Sequence, residues 1–416
     1  MATPPPPAPP AGATAPDLGE AIGDALRRDQ VKVPPYRAVA VRLQQAVEKE
    51  AGARQVAAIV ASDPALAAIV LRQANSVAYR GALRTETVEA AVFRLGAGEV
   101  VRIALAETVG AAALAAGPLL PLRRDRWRQA LFAATLCQTL APRRGLRPEQ
   151  AFMAGLLHDF GAVVVLAALE DLIRERKLPP LPASTWREVV DEYHTDFGTV
   201  VASRWRLPEA IAEVIAGRHD PEAALRIYRP LVQLVVNVVQ IGDTLNAAPD
   251  EGIAALDRLA GLDQEDRDMV ARLLPALAET VSGFEAALGL DGVTSAPSWV
   301  APEPVELPGA CPVELDVSTT GRKMRSWGIS ATALGVLSDQ PLDANRLLRV
   351  TLSCKPEPLV MTMTVRACRP ASPSGHAAIL QPFGLDGPAR AAWLELVTGA
   401  RKVLGLPTQN LRTVNP

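Results

Sequence analysis

The sequence predicts a multidomain protein, an all-α helical domain followed by a small β-barrel or sheet domain that ends in a C-terminal helix. Three observations carry that reading. Apolar residues make up 49% of the 416 positions while aromatics make up only 4%, so the core-forming residues are mainly Ala, Val and Leu, which suit packed helices better than an aromatic-rich sandwich. From about residue 33 to residue 290 the apolar positions recur at helical spacing. Beyond a proline-rich stretch at 294–310 the pattern changes to short segments rich in β-branched residues, broken by Pro, Gly, Ser and Asp.

The first 32 residues, opening MATPPPPAPPAGATAPDLGE, have neither a basic start nor an apolar stretch, so a polyproline-biased disordered leader is expected rather than an export signal. Val33, Pro34 and Pro35 then open a helical run to about Glu50. In SDPALAAIVLRQANS, Ser62 or Asp63 can cap a helix whose first turn holds Pro64, with Leu66, Ile69 and Val70 following and Asn75 and Ser76 ending it. Thr87 starts another, with Val88, Ala91, Val92 and Leu95 on one side and Gly96 as its stop.

The stretch MAGLLHDFG at 153–161 places His158 beside Asp159 in apolar surroundings. An imidazole and a carboxylate together suit a divalent metal such as iron or manganese, which could activate water for attack on phosphorus. Taken alone, the same pair is more often a structural histidine tied to a neighbouring carbonyl. Downstream, Thr185 and Glu188 stand in capping-box relation. Val190, His194, Phe197, Val201 and Trp205 then share one helical face, which points His194 at the core. Pro208 begins the next helix, which ends at the run Gly217, Arg218, His219, Asp220. Asp243 lies in LVVNVVQIGDTL, and a helical extension at 246–290 packs on the helical domain or joins protomers. A semi-rigid linker at 291–310 leads to the β domain at 311–405, whose closing helix packs through Ala391, Leu394, Leu396 and Val397, and a tail at 406–416 follows.

Several of these motifs carry a resemblance. DPAL at 63–66, ANS at 74–76, RLG at 94–96 and AGLLHDFG at 154–161, in that order, resemble an HDOD domain, with 33–245 as its extent here. The resemblance implies a helical architecture like that of the HD-type metal phosphohydrolases, used largely without catalysis as an interaction or output module in bacterial signalling. It also implies a remnant metal site of His158, Asp159, His194, His219 and Asp243. Gln129 stands where the catalytic relatives carry their first histidine, and Asp220 replaces a second histidine after His219. Glutamine offers only a weak carbonyl donor in place of an imidazole nitrogen.

WGISATALGVLSD and ILQPFGLDGPARAAWLELV are similar to a PilZ domain, a family that implies cyclic di-GMP binding. Arg322, Arg325 and Ser330 are the candidate contacts. The arginine pair has the wrong spacing for that family and, of the strand motif, only Ser330 is kept, so a degenerate interaction module is expected.

Composition narrows the partners. Forty-three basic against 45 acidic residues give a formal charge of −2, with no overall pull toward nucleic acid. Cys137, Cys311, Cys354 and Cys368 lack metal-finger spacing and are too few for a disulfide framework, so a reducing cytoplasm is expected. No window reads as a membrane span; 108–122 comes nearest and is broken by Gly117, Pro118 and Pro121. The expectation is a cytoplasmic signalling adaptor acting through other signalling proteins, without a required cofactor. A metal-dependent phosphohydrolase and a cyclic di-GMP receptor are the alternatives.

Overall fold

A computed structural model describes residues 15–287 and 311–403, apart from 37, 50, 76–78, 80–83, 179–180, 182, 249–250, 320–321, 354–357 and 372–374. The helices of the first unit are α1 (Ala15–Arg27), α2 (Ala38–Glu48), α3 (Ala53–Ala61), α4 (Pro64–Ala74), α5 (Val88–Leu95), α6 (Ala97–Ala113), α7 (Leu120–Leu140), α8 (Pro148–Leu157), α9 (Phe160–Arg176), α10 (Ala183–Trp205), α11 (Glu209–Gly217), α12 (Arg229–Ala247) and α13 (Gln264–Ala287). They enclose one continuous apolar core.

Local chemistry sets many of the boundaries as expected. The Asp63 carboxylate accepts from the Ala65 and Leu66 amides at 3.0 and 3.1 Å. The Thr87 hydroxyl accepts from the Ala90 amide at 3.2 Å. Gly96 ends α5 at φ +81°, in the left-handed region that favours glycine.

Other boundaries differ. α2 begins at Ala38, because Pro34 and Pro35 hold the preceding residues out of the helical region. α10 begins at Ala183, so Thr185 lies inside its first turn and does not cap it. Part of the stretch expected to be a disordered leader is ordered: Ala15–Arg27 is a helix with Leu18 and Ile22 fully buried, and residues 1–14 lie outside the described residues. Gly19 and Gly23 let Tyr193 of α10 come close, since a Cβ on Gly23 would lie 2.9 Å from its hydroxyl. Pro148–Arg176, which was not among the expected apolar windows, is long and apolar enough to cross a membrane, and 89% of its most apolar 18-residue stretch is buried within the fold.

The second unit is a closed antiparallel barrel of β1 (Asp316–Thr319), β2 (Arg322–Ile329), β3 (Leu334–Ser338), β4 (Leu347–Leu352), β5 (Leu359–Ala371) and β6 (Gly375–Pro382), in the order β1-β2-β3-β6-β5-β4. Pairing of Val317 with Leu352 closes the ring. β2 was hidden in the sequence by its charges: Lys323 and Arg325 face out while Met324 and Ser326 face in. Helix α14 (Gly387–Val403) covers one side. Trp393 and Val397 are its buried residues and the Trp393 indole donates to the Ala331 carbonyl at 2.8 Å, whereas Ala391, an expected packing residue, is exposed. Of the expected linker and tail, 291–310 and 406–416 lie outside the described residues.

The barrel docks on the helical unit through the outer face of β5. Strand alternation puts Met361, Met363 and Val365 in the barrel core and turns Thr362 and Thr364 outward, yet both threonines are buried. They lie beneath the helices, where the Thr362 hydroxyl donates to the Leu274 carbonyl at 3.4 Å. Asp343, just before β4, receives Arg124 at 2.9 Å and Arg128 at 3.2 Å, both from α7. Phe132 and Phe383 meet edge to face at 5.9 Å. Ile253 donates its amide to the Leu385 carbonyl at 2.8 Å.

Candidate functional site

The His158–Asp159 pair occupies the break between two apolar helices. His158 ends α8 and Asp159 precedes α9. Two glycines bring the neighbouring elements onto this break. A Cβ on Gly161 would lie 1.9 Å from the His194 carbonyl and 2.5 Å from the Gly198 amide, and a Cβ on Gly198 would lie 2.6 Å from Ile215. Helices α9, α10 and α11 therefore cross with almost no side chain between them, which carries His194 and then His219 up to the pair.

The result is a cavity of about 670 Å³ lined by all five residues of the expected set, with Gln129 beside them. The constellation read from the sequence thus assembles around one space. What fills the centre of it is different.

Asp159 is buried and holds two guanidinium groups: Arg126 donates to one oxygen at 3.2 Å and Arg218 to the other at 3.0 Å. Burial alone would raise its carboxyl, but Arg218 and Arg126 outweigh that and keep it below the usual carboxylate range. Arg126 also reaches Asp191 at 3.3 Å. These two arginines were missed in the sequence. Arg126 lies one helical turn before Gln129 and Arg218 adjoins His219, so proximity to the motif positions was the signal available.

The imidazoles are also engaged. His158 Nδ1 lies 2.8 Å from the Gly155 carbonyl, so it carries the proton and leaves the Nε2 lone pair open. Burial, then Arg218, pull its pKa down to about 4. His194 Nδ1 lies 3.0 Å from the Val190 carbonyl and its Nε2 lies 2.9 Å from His219 Nε2. With His194 protonated on Nδ1, His219 must donate and His194 accept, which uses the second lone pair. Burial and Arg218 lower His219 as well. Asp243 reaches the cavity from α12 and stays largely open to solvent, with desolvation raising its carboxyl somewhat.

This donor set does not fit a divalent cation. Among the described residues no group of three His, Cys, Asp or Glu side chains is placed to hold one, and the carboxylate that would bind it already faces two positive groups. A third charge beside Arg126 and Arg218 would meet repulsion in a poorly solvated site.

The cyclic di-GMP candidates are not brought together. Arg322 and Arg325 sit on strand β2, with Arg325 exposed. Ser330 lies past the strand's other end, about 16 Å from Arg325 by extended rise. Its hydroxyl accepts from the Ala333 amide at 3.0 Å and the Thr332 amide at 3.3 Å, closing the turn into β3.

The first unit is thus an all-helical domain with a His–Asp pair at the break between two of its helices. Residues 33–221 match the family model of the HDOD domain. A protein of Treponema pallidum (strain Nichols) with no assigned function is 27% identical over 217 residues, which cover 49% of this chain and 40% of that protein; the chain therefore spans about two fifths of this curated relative. A crystal structure from Shewanella amazonensis SB2B, named as an inferred metal-dependent phosphohydrolase, aligns with TM-score 0.50 at 21% identity, over 66% of this chain and 99% of that one. An HDOD domain protein with unknown function from Geobacter sulfurreducens aligns with TM-score 0.47 at 22% identity, over 64% of this chain and 98% of that one. The first of these likenesses concerns the fold.

Proposed function

We propose that the chain is a bacterial signal-transduction adaptor of the cytoplasm, in which a non-catalytic HDOD domain and a degenerate PilZ-like barrel act through contacts with other signalling proteins. One observation carries this reading: the Asp159 carboxylate is neutralised from within by Arg126 and Arg218. In a hydrolase of this architecture the carboxylate would be held for a metal ion. Here it ties α7 and the end of α11 to the α8–α9 break, which makes it a structural centre.

The name of the Shewanella protein supplies the competing reading, a metal-dependent phosphohydrolase. Metal analysis of the purified chain after incubation with manganese or iron separates the two, together with turnover of phosphodiester and nucleotide substrates. The adaptor reading expects neither bound metal nor turnover. Stoichiometric metal that disappears in Asp159→Ala would overturn it. Capture of partners from the native cytoplasm, compared between wild type and a variant altered on the surface of the helical unit, then identifies what the domain contacts.

A further inference from the structure

The cavity beside Asp159 is not built by the helical unit alone. Asn345, Leu347, Thr364, Arg366 and Phe383 of the barrel form its other wall. Such a two-sided space between domains is a usual place for a small ligand, and about 670 Å³ lies inside the ordinary range of roughly 300–1,000 Å³ for such sites.

Its polar lining includes groups the protein does not satisfy. Thr364 is 4% exposed and its hydroxyl has no hydrogen-bond partner among the described residues. The Nε of Arg218 is also buried without one. A buried polar atom left in this state is destabilising unless something supplies the partner. Arg366 makes no hydrogen bond or close ion pair among the described residues. It is the extra residue of a β-bulge, because Val365 pairs with Leu380 and Ala367 with Ile379. Bulges of this kind re-aim a side chain, and here Arg366 is presented to the cavity. Asn345, on the same wall, holds φ +59° while its amide donates to the Val365 carbonyl at 2.6 Å. The backbone just before the bulge is thereby tied down.

The carboxylates of the cavity do not cancel these donors. Asp159 and Asp191 are occupied by Arg126 and Arg218, and the buried Asp125 is shared among Arg126, Arg128, Arg187 and Arg366, which leaves Arg366 without a close partner of its own. Asp243 remains at the open side, where it can accept from a hydroxyl or amino group.

We propose that the space between the HDOD domain and the barrel is a binding site for a small phosphate ester of nucleoside-monophosphate size. Its phosphate is gripped by Arg218 and Arg366, Thr364 bonds to it, and Asp243 accepts from its sugar or base. The ligand joins the two domains and thereby couples their arrangement to its concentration. None of Arg322, Arg325 and Ser330 lines this cavity, so the site is separate from the one the barrel's resemblance implies. It also goes beyond the adaptor reading, which requires no ligand.

The test is calorimetry and thermal unfolding of the full chain with AMP, GMP and inorganic phosphate, each to millimolar concentration. Wild type is expected to bind AMP or GMP saturably with a raised unfolding midpoint. The affinity should fall about tenfold or more in Arg366→Gln, as expected for a charge-assisted contact, and measurably in Thr364→Val, while Arg325→Gln stays as wild type. Arg366 is exposed and Thr364→Val keeps the side chain's shape, so both variants should fold. No saturable binding of either nucleotide, equal affinity in Arg366→Gln, or inorganic phosphate bound as tightly as the esters would each overturn the proposal.

Discussion

The His158 constellation and the Ser330 constellation begin from similar sequence evidence, a set of motif residues from which some expected partners are missing, and end differently in space. The first draws on α8, α10, α11 and α12 and surrounds one cavity. The second draws on a single strand and the turn after it and stays spread out. The difference lies in the backbone. Helices that cross on glycine, as at Gly161 and Gly198, bring residues 30 or 60 positions apart into contact. An extended strand separates residues by about 3.3 Å per position however its motif is spelled.

Substitutions in the two regions should therefore differ in scale. Gly161→Ala is expected to have the largest effect, a loss of about 3–5 kcal/mol in stability, since its methyl would have to displace the backbone of α10. A denaturant midpoint close to that of wild type would show that the helix crossing is not as tight as described. Asp159→Asn comes next, at about 3 kcal/mol, because it strands the partly buried Arg126 and Arg218. Chemical unfolding measures it. A neutral outcome would mean that the ion pairs do not organise the site.

Acid should act on the same region through His158. Its folded pKa of about 4 lies below the ordinary 6.5, so the unfolded chain binds the proton more readily between those values and stability falls as pH drops through that window, by up to about 3 kcal/mol. Above pH 6.5 the group contributes no slope. Unfolding free energy followed from pH 7 to pH 4 should decline less steeply in His158→Gln. The smallest effect belongs to the barrel: Arg325→Ala, on an exposed strand position, should change stability by less than about 0.5 kcal/mol.

Legibility followed the same divide. The caps at Asp63 and Thr87 and the stop at Gly96 were readable because each depends on residues within four positions of one another. The inward face of α10 was readable because 3.6-residue periodicity is local too. The five residues around the cavity were readable through resemblance, not spacing. Arg126 and Arg218 were not, since nothing in a sequence says that guanidinium groups from α7 and from the end of α11 converge on one carboxylate. The burial of Thr362 and Thr364 was out of reach for a plainer reason. Alternation marks them as the solvent side of a strand, and only the docking of two domains buries them.

The closure of the barrel has its own consequence. With β1 joined to β4, the ring offers, among the described residues, no unpaired strand onto which an extended peptide could be added. Whatever meets this half of the molecule has to recognise it by the shape and charge of its outward side chains, so its choice of partner can be rewritten by surface substitution while the barrel itself stands.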